Sequence, residues 1–477
     1  WNLNLNSRFS EHNDQRYGGT VGFNAGKFNS LTNVQYNNVD TYAVDNPGDF
    51  STVFGSRVWN FKERLIYHPL ETLKLTGRAG YYFRERNKPG DTQDRYRDFN
   101  GGLKANYTFN TLSNLEVGYT FDQYDKSDYQ VLYKNDVRDY SNVQHNVHAL
   151  YNYTFNEKHT LTVGADYLRD YLMSYQFTDN ANYIMHTADA FGQFDWNPTE
   201  RLNVIAGLRF DYFSDSNVRH LSPHLGMMYK IGNCSLRGSY SQGFRSPTLK
   251  EMYMVFNMAN MMMIYGNPDL KSETSHNFSL SAEYTKNRYN FSVTGYYNLV
   301  HNRINTVYSD DPKGQIYTNT DKVDIAGVDA NISAKYPCGL GFRMSYTYIH
   351  EFMRDGQKKF TDTRPHTATV RVDWGENLDK VDFNYSLNGR ILSEVKTNVY
   401  NDSFNNPAAG STAVTYPGYM IWDLTFSVGV FKGVNMNLAI NNLFNYVPDY
   451  YYFNSPTTTG ANLTLGLSLD IDRFFKK

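Results

Sequence analysis

The residues with the most chemical potential cluster in one stretch. Met252, Met254, Met258, Met261, Met262 and Met263 follow one another closely, with Tyr253 and Tyr265 among them. Thioether sulfur and phenolate oxygen are both competent ligands to iron. Methionine is also an adaptable apolar filler, and packing of the segment is the competing reading. His220 lies near the same region and could supply an imidazole, whereas His224 reads as a wall residue. Other candidates fail on spacing. Gly18 to Lys27 looks like a phosphate loop, but Val21 stands where a glycine is needed and Phe28 follows the lysine. His145 and His148 are three apart on an extended segment, so they point to opposite faces and do not share a metal. Cys234 and Cys338 cannot form a disulfide framework; both fall at short turns on one side, where a bridge is conceivable but not inferable. No nucleophile elbow, zincin helix or cysteine pair appears. The expectation is a protein that is not an enzyme, with no resident metal or cofactor.

Those residues must be held by strands. The 477 residues carry 48 Asp+Glu against 46 Lys+Arg, a balance that argues against a nucleic-acid partner. No run of 18 apolar residues exists, which excludes a transmembrane helix. Apolar and polar residues instead alternate. Leu463, Leu465, Leu467, Leu469 and Ile471 are interleaved with Thr464, Gly466, Ser468 and Asp470; Leu115, Val117, Tyr119 and Phe121 repeat the pattern. No segment shows a convincing helical period. Alternation fits a soluble sandwich with apolar residues inside, or a membrane barrel with apolar residues outside.

Three features favour the barrel. Segments such as 72–86, 115–126, 159–172 and 201–213 exceed the usual soluble strand and suit a tilted bilayer crossing. Aromatics, including Tyr81, Tyr82, Phe83, Tyr124, Tyr171, Tyr212, Phe213, Tyr296 and Tyr297, fall near strand ends, where an interfacial girdle places them. Connections alternate between short and long. Short turns are expected at 26–27, 69–71, 110–115, 156–158, 197–200, 232–233, 286–288, 336–340, 375–377 and 432–433. Long loops are expected at 39–56, 87–94, 127–140, 173–183, 214–221, 242–273, 301–316, 353–363, 393–419 and 441–459. With a first strand near 1–9, the expectation is an all-β transmembrane antiparallel β-barrel of about 22 strands over residues 1–477. It would have short periplasmic turns and long extracellular loops in a Gram-negative outer membrane.

The longest extracellular loop carries two boxes: Phe244-Arg245-Ser246-Pro247 and Asn267-Pro268-Asp269-Leu270. With Ile440-Asn441-Asn442-Leu443-Phe444-Asn445 and the closing strand 461–475, the chain resembles the TonB-dependent outer-membrane receptors. That family has an N-terminal plug and a TonB-engaging motif. Strand alternation here begins almost at Trp1, so the plug is expected upstream of this sequence. The family's last residue is usually aromatic, whereas here Phe474 and Phe475 precede Lys476 and Lys477.

The resemblance implies active uptake of a scarce nutrient, with the inner-membrane TonB complex acting through the plug and a surface lipoprotein as a possible source of ligand. The paired boxes are most similar to those of the haem and haemoprotein receptors, which place a histidine between them. No histidine lies between Pro247 and Asn267, so Met252, Tyr253, Met258, Met261, Met262, Met263, Tyr265 and His220 are the candidate contacts for haem as transported ligand. Asn267-Pro268 is equally a turn signal. Tyr450, Tyr451, Tyr452 and Phe453 suit a planar ligand, a protein partner or an interfacial belt. The alternatives are a corrinoid or ferric-siderophore receptor, a passive porin and an adhesin.

Overall fold

In a computed structural model the chain is described except at residues 45–51, 215, 259–261, 321, 354–357, 362, 379–380, 403, 450–454, 457 and 476–477. Twenty-two antiparallel strands form one sheet. It closes because Asn2–Phe9 pairs with Gln15–Ala25 on one side and with the last strand, Asn462–Asp470, on the other. Closure matters physically: a backbone amide left unpaired in hydrocarbon costs several kcal/mol. At the seam Asn4 donates to the Asp470 carboxylate at 2.6 Å inside the barrel.

The apolar face looks outward. Leu103 and Leu280 are 70% and 71% exposed. Their neighbours along the strand turn inward as polar pairs: Lys104 holds Glu116 at 2.9 Å, and Ser239 meets Ser279 at 2.6 Å. Arg209 bridges Asp189 and Asp211 in the same interior. A carboxylate that faces outward is satisfied locally. Glu63 accepts the hydroxyls of Ser30 and Thr32 at 2.7 and 2.5 Å.

Alternation also divides the expected girdle. Tyr297 faces out, while the ring of Tyr296 fills the space over Gly327 inside. Phe213 likewise turns inward, onto Phe244.

Several boundaries differ from the sequence expectation. Thr92–Asn110, Ser113–Gln130 and Asn135–Phe155 run 19, 18 and 21 residues, so the loops expected at 87–94 and 127–140 shrink to 88–91 and 131–134. Charged cross-strand pairs hold the ladder together above the membrane: Arg95 meets Glu85 at 2.8 Å and Lys126 meets Asp139 at 3.1 Å. Such pairs read as loop in hydropathy yet keep the strands paired, with one irregularity of register between Arg138 and Tyr140. The loop expected at 214–221 is only 214–217. The turn expected at 375–377 lies within the strand His366–Leu378, because Gly375, Glu376 and Asn377 stay in register with Asn384, Phe383 and Asp382. The turn itself falls outside the described residues.

Gly375 also meets another chain segment. Gly339 has φ +83°, and a Cβ there would strike the Gly375 carbonyl, so that turn requires glycine. The loop expected at 301–316 contains a hairpin, Arg303–Asp310 with Lys313–Thr320. Two five-residue helices, Leu249–Tyr253 and Ile471–Phe475, are too short to show a period in sequence. Cys234 and Cys338 are both free thiols.

Candidate functional site

Strand Cys234–Arg245 pairs with Val218–Ile231 only as far as Ser241 and His224, but with Glu273–Lys286 up to Arg245 and Glu273. Its upper end therefore has a neighbour on one side only and leans over the short loop 214–217. Phe244 stacks on His220 with ring centroids 4.3 Å apart. The Ser246 and Ser216 hydroxyls sit 3.0 Å apart, and Pro247 is fully buried.

Thr248 then opens the helix Leu249–Tyr253 with a reciprocal cap. Its hydroxyl accepts the Glu251 amide, and the Glu251 carboxylate accepts the Thr248 amide at 2.8 Å. Arg245 Nη1 reaches both oxygens of that carboxylate, each at 2.8 Å. Its other nitrogen lies 3.5 Å from Glu273, which accepts the Ile304 amide at 3.0 Å. The first box is thus a strut between strand end, helix and neighbouring hairpin.

The second box locks onto the first. Asn267 donates its amide to the Glu251 carbonyl at 2.8 Å and its side chain to the Tyr317 carbonyl at 3.1 Å. Its Oδ1 accepts the Asp269 amide at 2.9 Å, the turn that Asn267-Pro268 announces, and Leu270 is buried. Gly266 passes so close to the helix end that a Cβ would lie 2.5 Å from the Met254 nitrogen.

The methionines separate into two groups. Met252 is 2% exposed and packs with Leu172, Phe177 and Leu249; Met254 is buried beside it. Packing is therefore the role of Met252, which offers no surface to a ligand. Tyr253 stacks on Tyr183 at 4.0 Å, also within this cluster. Lys250 lies 4.8 Å over the Tyr140 ring, and burial holds its pKa below the usual lysine value.

The remaining candidates form a hairpin, Val255–Met258 with Met262–Tyr265. Met258 and Met262 are directly opposed, on the face shared with Phe256 and Ile264, while Met263 and Tyr265 occupy the other face. Met261 lies outside the described residues, as do Tyr450 to Phe453. His220 joins neither group: it is covered by Phe244, and its Nε2 is buried without a hydrogen-bond partner among the described residues.

The hairpin is woven into a roof. Met262–Tyr265 pairs in parallel with Lys313–Thr320, giving a four-stranded extracellular sheet with Arg303–Asp310. Val255 donates to the Gln176 carbonyl at 2.9 Å, and Phe256 meets Tyr175 edge-on at 5.7 Å. Gln315, 3% exposed, donates to the Phe404 carbonyl, and Phe360 stacks on Tyr400 at 4.1 Å. Loops from five places around the rim are thereby joined. Gln315, Asn319 and Glu273 are structural residues that sequence reasoning missed. The available signal was the Asp311-Pro312-Lys313-Gly314 turn between two β-prone flanks.

Among the described residues no group of three or more His, Cys, Asp or Glu could hold a metal ion. Below the roof the wall is polar and charged. One lumen-facing recess of about 920 Å³ is lined by Arg343, Arg371, Asp373, Asn384 and Asn388 among others.

Comparison with known proteins agrees with this architecture. Residues 1–443 match the family described as TonB dependent receptor-like, beta-barrel. The chain is 24% identical over 297 residues to the iron-regulated outer membrane virulence protein of Vibrio cholerae, covering 58% of this chain and 43% of that protein. It is 22% identical over 335 residues to the heme/hemopexin utilization protein C of Haemophilus influenzae, covering 59% and 44%. The chain thus spans under half the length of these curated relatives. Among solved structures, the siderophore receptor PirA from Acinetobacter baumannii superposes with a TM-score of 0.80 at 15% identity, covering 98% of this chain and 80% of that one, which shows a shared fold. A closed 22-strand sheet, greasy outside and polar within, matched to one family over almost its whole length, leaves one assignment: the chain belongs to the TonB-dependent receptor β-barrel family and is a Gram-negative outer-membrane barrel.

Proposed function

We propose that this barrel takes up haem, with the opposed Met258 and Met262 of the extracellular hairpin meeting the porphyrin. The observation that carries the reading is their placement: Met258 and Met262 are register partners on one face of a sheet tied to loops around the mouth. Thioether is a competent iron ligand and a soft partner for a flat ring. Tyr265 and Met263, on the opposite face of the hairpin, support the sheet. The name of the Haemophilus relative is consistent with this chemistry.

Energy for transport is proposed to come from the inner-membrane TonB complex acting on a plug that fills the lumen. The charged wall around Arg343, Arg371 and Asp373 gives such a domain polar partners. A surface lipoprotein that hands haem to the roof completes the scheme.

The test is a haem titration of the purified full-length receptor. A Soret shift that is lost in the Met258→Ala/Met262→Ala variant supports the reading. A receptor that shows no shift, yet restores growth on a corrinoid or a ferric siderophore, overturns haem and keeps the class. Energy-independent leakage of small solutes would mark a passive pore instead.

A further inference from the structure

The outward face carries a pattern that transport does not use. Four times among the described residues, a tyrosine on an upward strand meets a histidine on the next downward strand, two positions above its direct partner. Tyr119 Oη lies 2.9 Å from His145 Nδ1, Tyr167 2.8 Å from His186, Tyr240 2.9 Å from His276, and Tyr346 2.7 Å from His366. Alternation puts all eight side chains on the lipid side, in step with Val147, Ile184, Phe278 and other exposed apolar residues.

Two of these pairs flank a cation. Arg169 is the direct cross-strand partner of both His145 and His186. Each of the three stands ten residues above the periplasmic end of its strand, at Phe155, His159 and Trp196. At about 3.3 Å per residue and a tilt of about 40°, ten residues climb about 25 Å, the height of the apolar band. The row therefore lies at the outer-leaflet interface. Among the described residues none of the three has an acidic ion-pair partner. A Tyr hydroxyl that donates to Nδ1 leaves Nε2–H as a free donor on each imidazole.

We infer that His145, Arg169 and His186, braced by Tyr119 and Tyr167, seat a phosphate on the headgroup of an outer-leaflet glycolipid. The row spans three neighbouring strands, about 10 Å, which matches one phosphorylated sugar. The guanidinium supplies the charge, and the two imidazoles supply directed donors on either side. An apolar belt alone would not place three nitrogen-rich side chains in one row at the membrane boundary.

The experiment is native mass spectrometry of the full-length receptor with diphosphorylated lipid A, with the same lipid after phosphate removal, and with inorganic phosphate. The phosphorylated lipid should be retained, and loss of its phosphates should weaken it about tenfold or more, the worth of one charge-assisted hydrogen bond. Arg169→Gln and His145→Gln/His186→Gln should weaken it comparably, while Arg371→Gln in the lumen should not. Heat-modifiable migration reports folding of every variant; if Arg169→Gln fails to fold, the histidine pair decides. Equal retention of both lipids, or unchanged retention in the variants, overturns the site. Displacement by millimolar inorganic phosphate overturns the lipid as its occupant.

Discussion

Arg245 grips Glu251 through both carboxylate oxygens at 2.8 Å, and that same carboxylate caps the helix that begins at Thr248. One side chain thus fastens the end of a membrane strand to an extracellular helix. The second box, through Asn267, rests on the Glu251 carbonyl. The boxes hold the roof in place, and the hairpin proposed to meet the ligand lies between them in sequence.

Glu251→Gln keeps the size but removes the charge from this knot. Charge-assisted hydrogen bonds contribute about 1.5–3 kcal/mol, so segment 246–272 should open about tenfold more often or beyond. Limited proteolysis of the folded receptor reads this as faster cleavage in that segment, with the barrel's heat-modifiable band unchanged. Equal cleavage rates would show that the knot is decorative.

Gly266→Ala should loosen the same roof from the other side. The new methyl would stand 2.5 to 2.6 Å from the Met252 and Met254 backbone, a clash relieved only by moving the second box. Haem affinity and protease resistance should fall together. A variant with unaltered affinity would show that the hairpin's position does not depend on this contact.

Lys250 gives the roof a pH dependence. Its folded pKa is lowered by burial, so the opened segment binds the proton more tightly than the closed one. The closed roof is therefore disfavoured at neutral pH and gains stability as pH rises through the lowered value toward 10.5. Lys250→Met should abolish the slope and protect the segment at pH 7. Cleavage of wild type and variant, compared at neutral and alkaline pH, measures it.

Leu280 and Ser279 are adjacent but face lipid and lumen. Leu280 stands six residues above the periplasmic end at Lys286, near the midplane. Leu280→Arg should cost about 2–4 kcal/mol of folding into bilayers, and Ser279→Arg far less. Equal effects in urea titrations would contradict the outward assignment of the apolar face.

Cys338 is exposed in the turn 336–339 on the periplasmic side. A membrane-impermeant maleimide should leave it unlabelled in intact cells and label it after the outer membrane is permeabilised. Labelling of intact cells would invert the topology.

His145 and His148 show how far the sequence reaches. Their spacing alone placed them on opposite faces, and the structure puts one against Tyr119 toward lipid and the other on Glu116 at 3.3 Å in the lumen. Strand count, closure and direction were legible for the same reason: a two-residue period and turn chemistry are local properties. Strand ends at 87–94 and 127–140 were not, because charged cross-strand pairs extend a ladder that hydropathy reads as loop. Nor were the separate roles of Met252 and Met258, identical side chains six residues apart. Only the tertiary structure buries one against Leu172 and Phe177 and opposes the other to Met262, since both outcomes depend on loops that meet from distant parts of the chain.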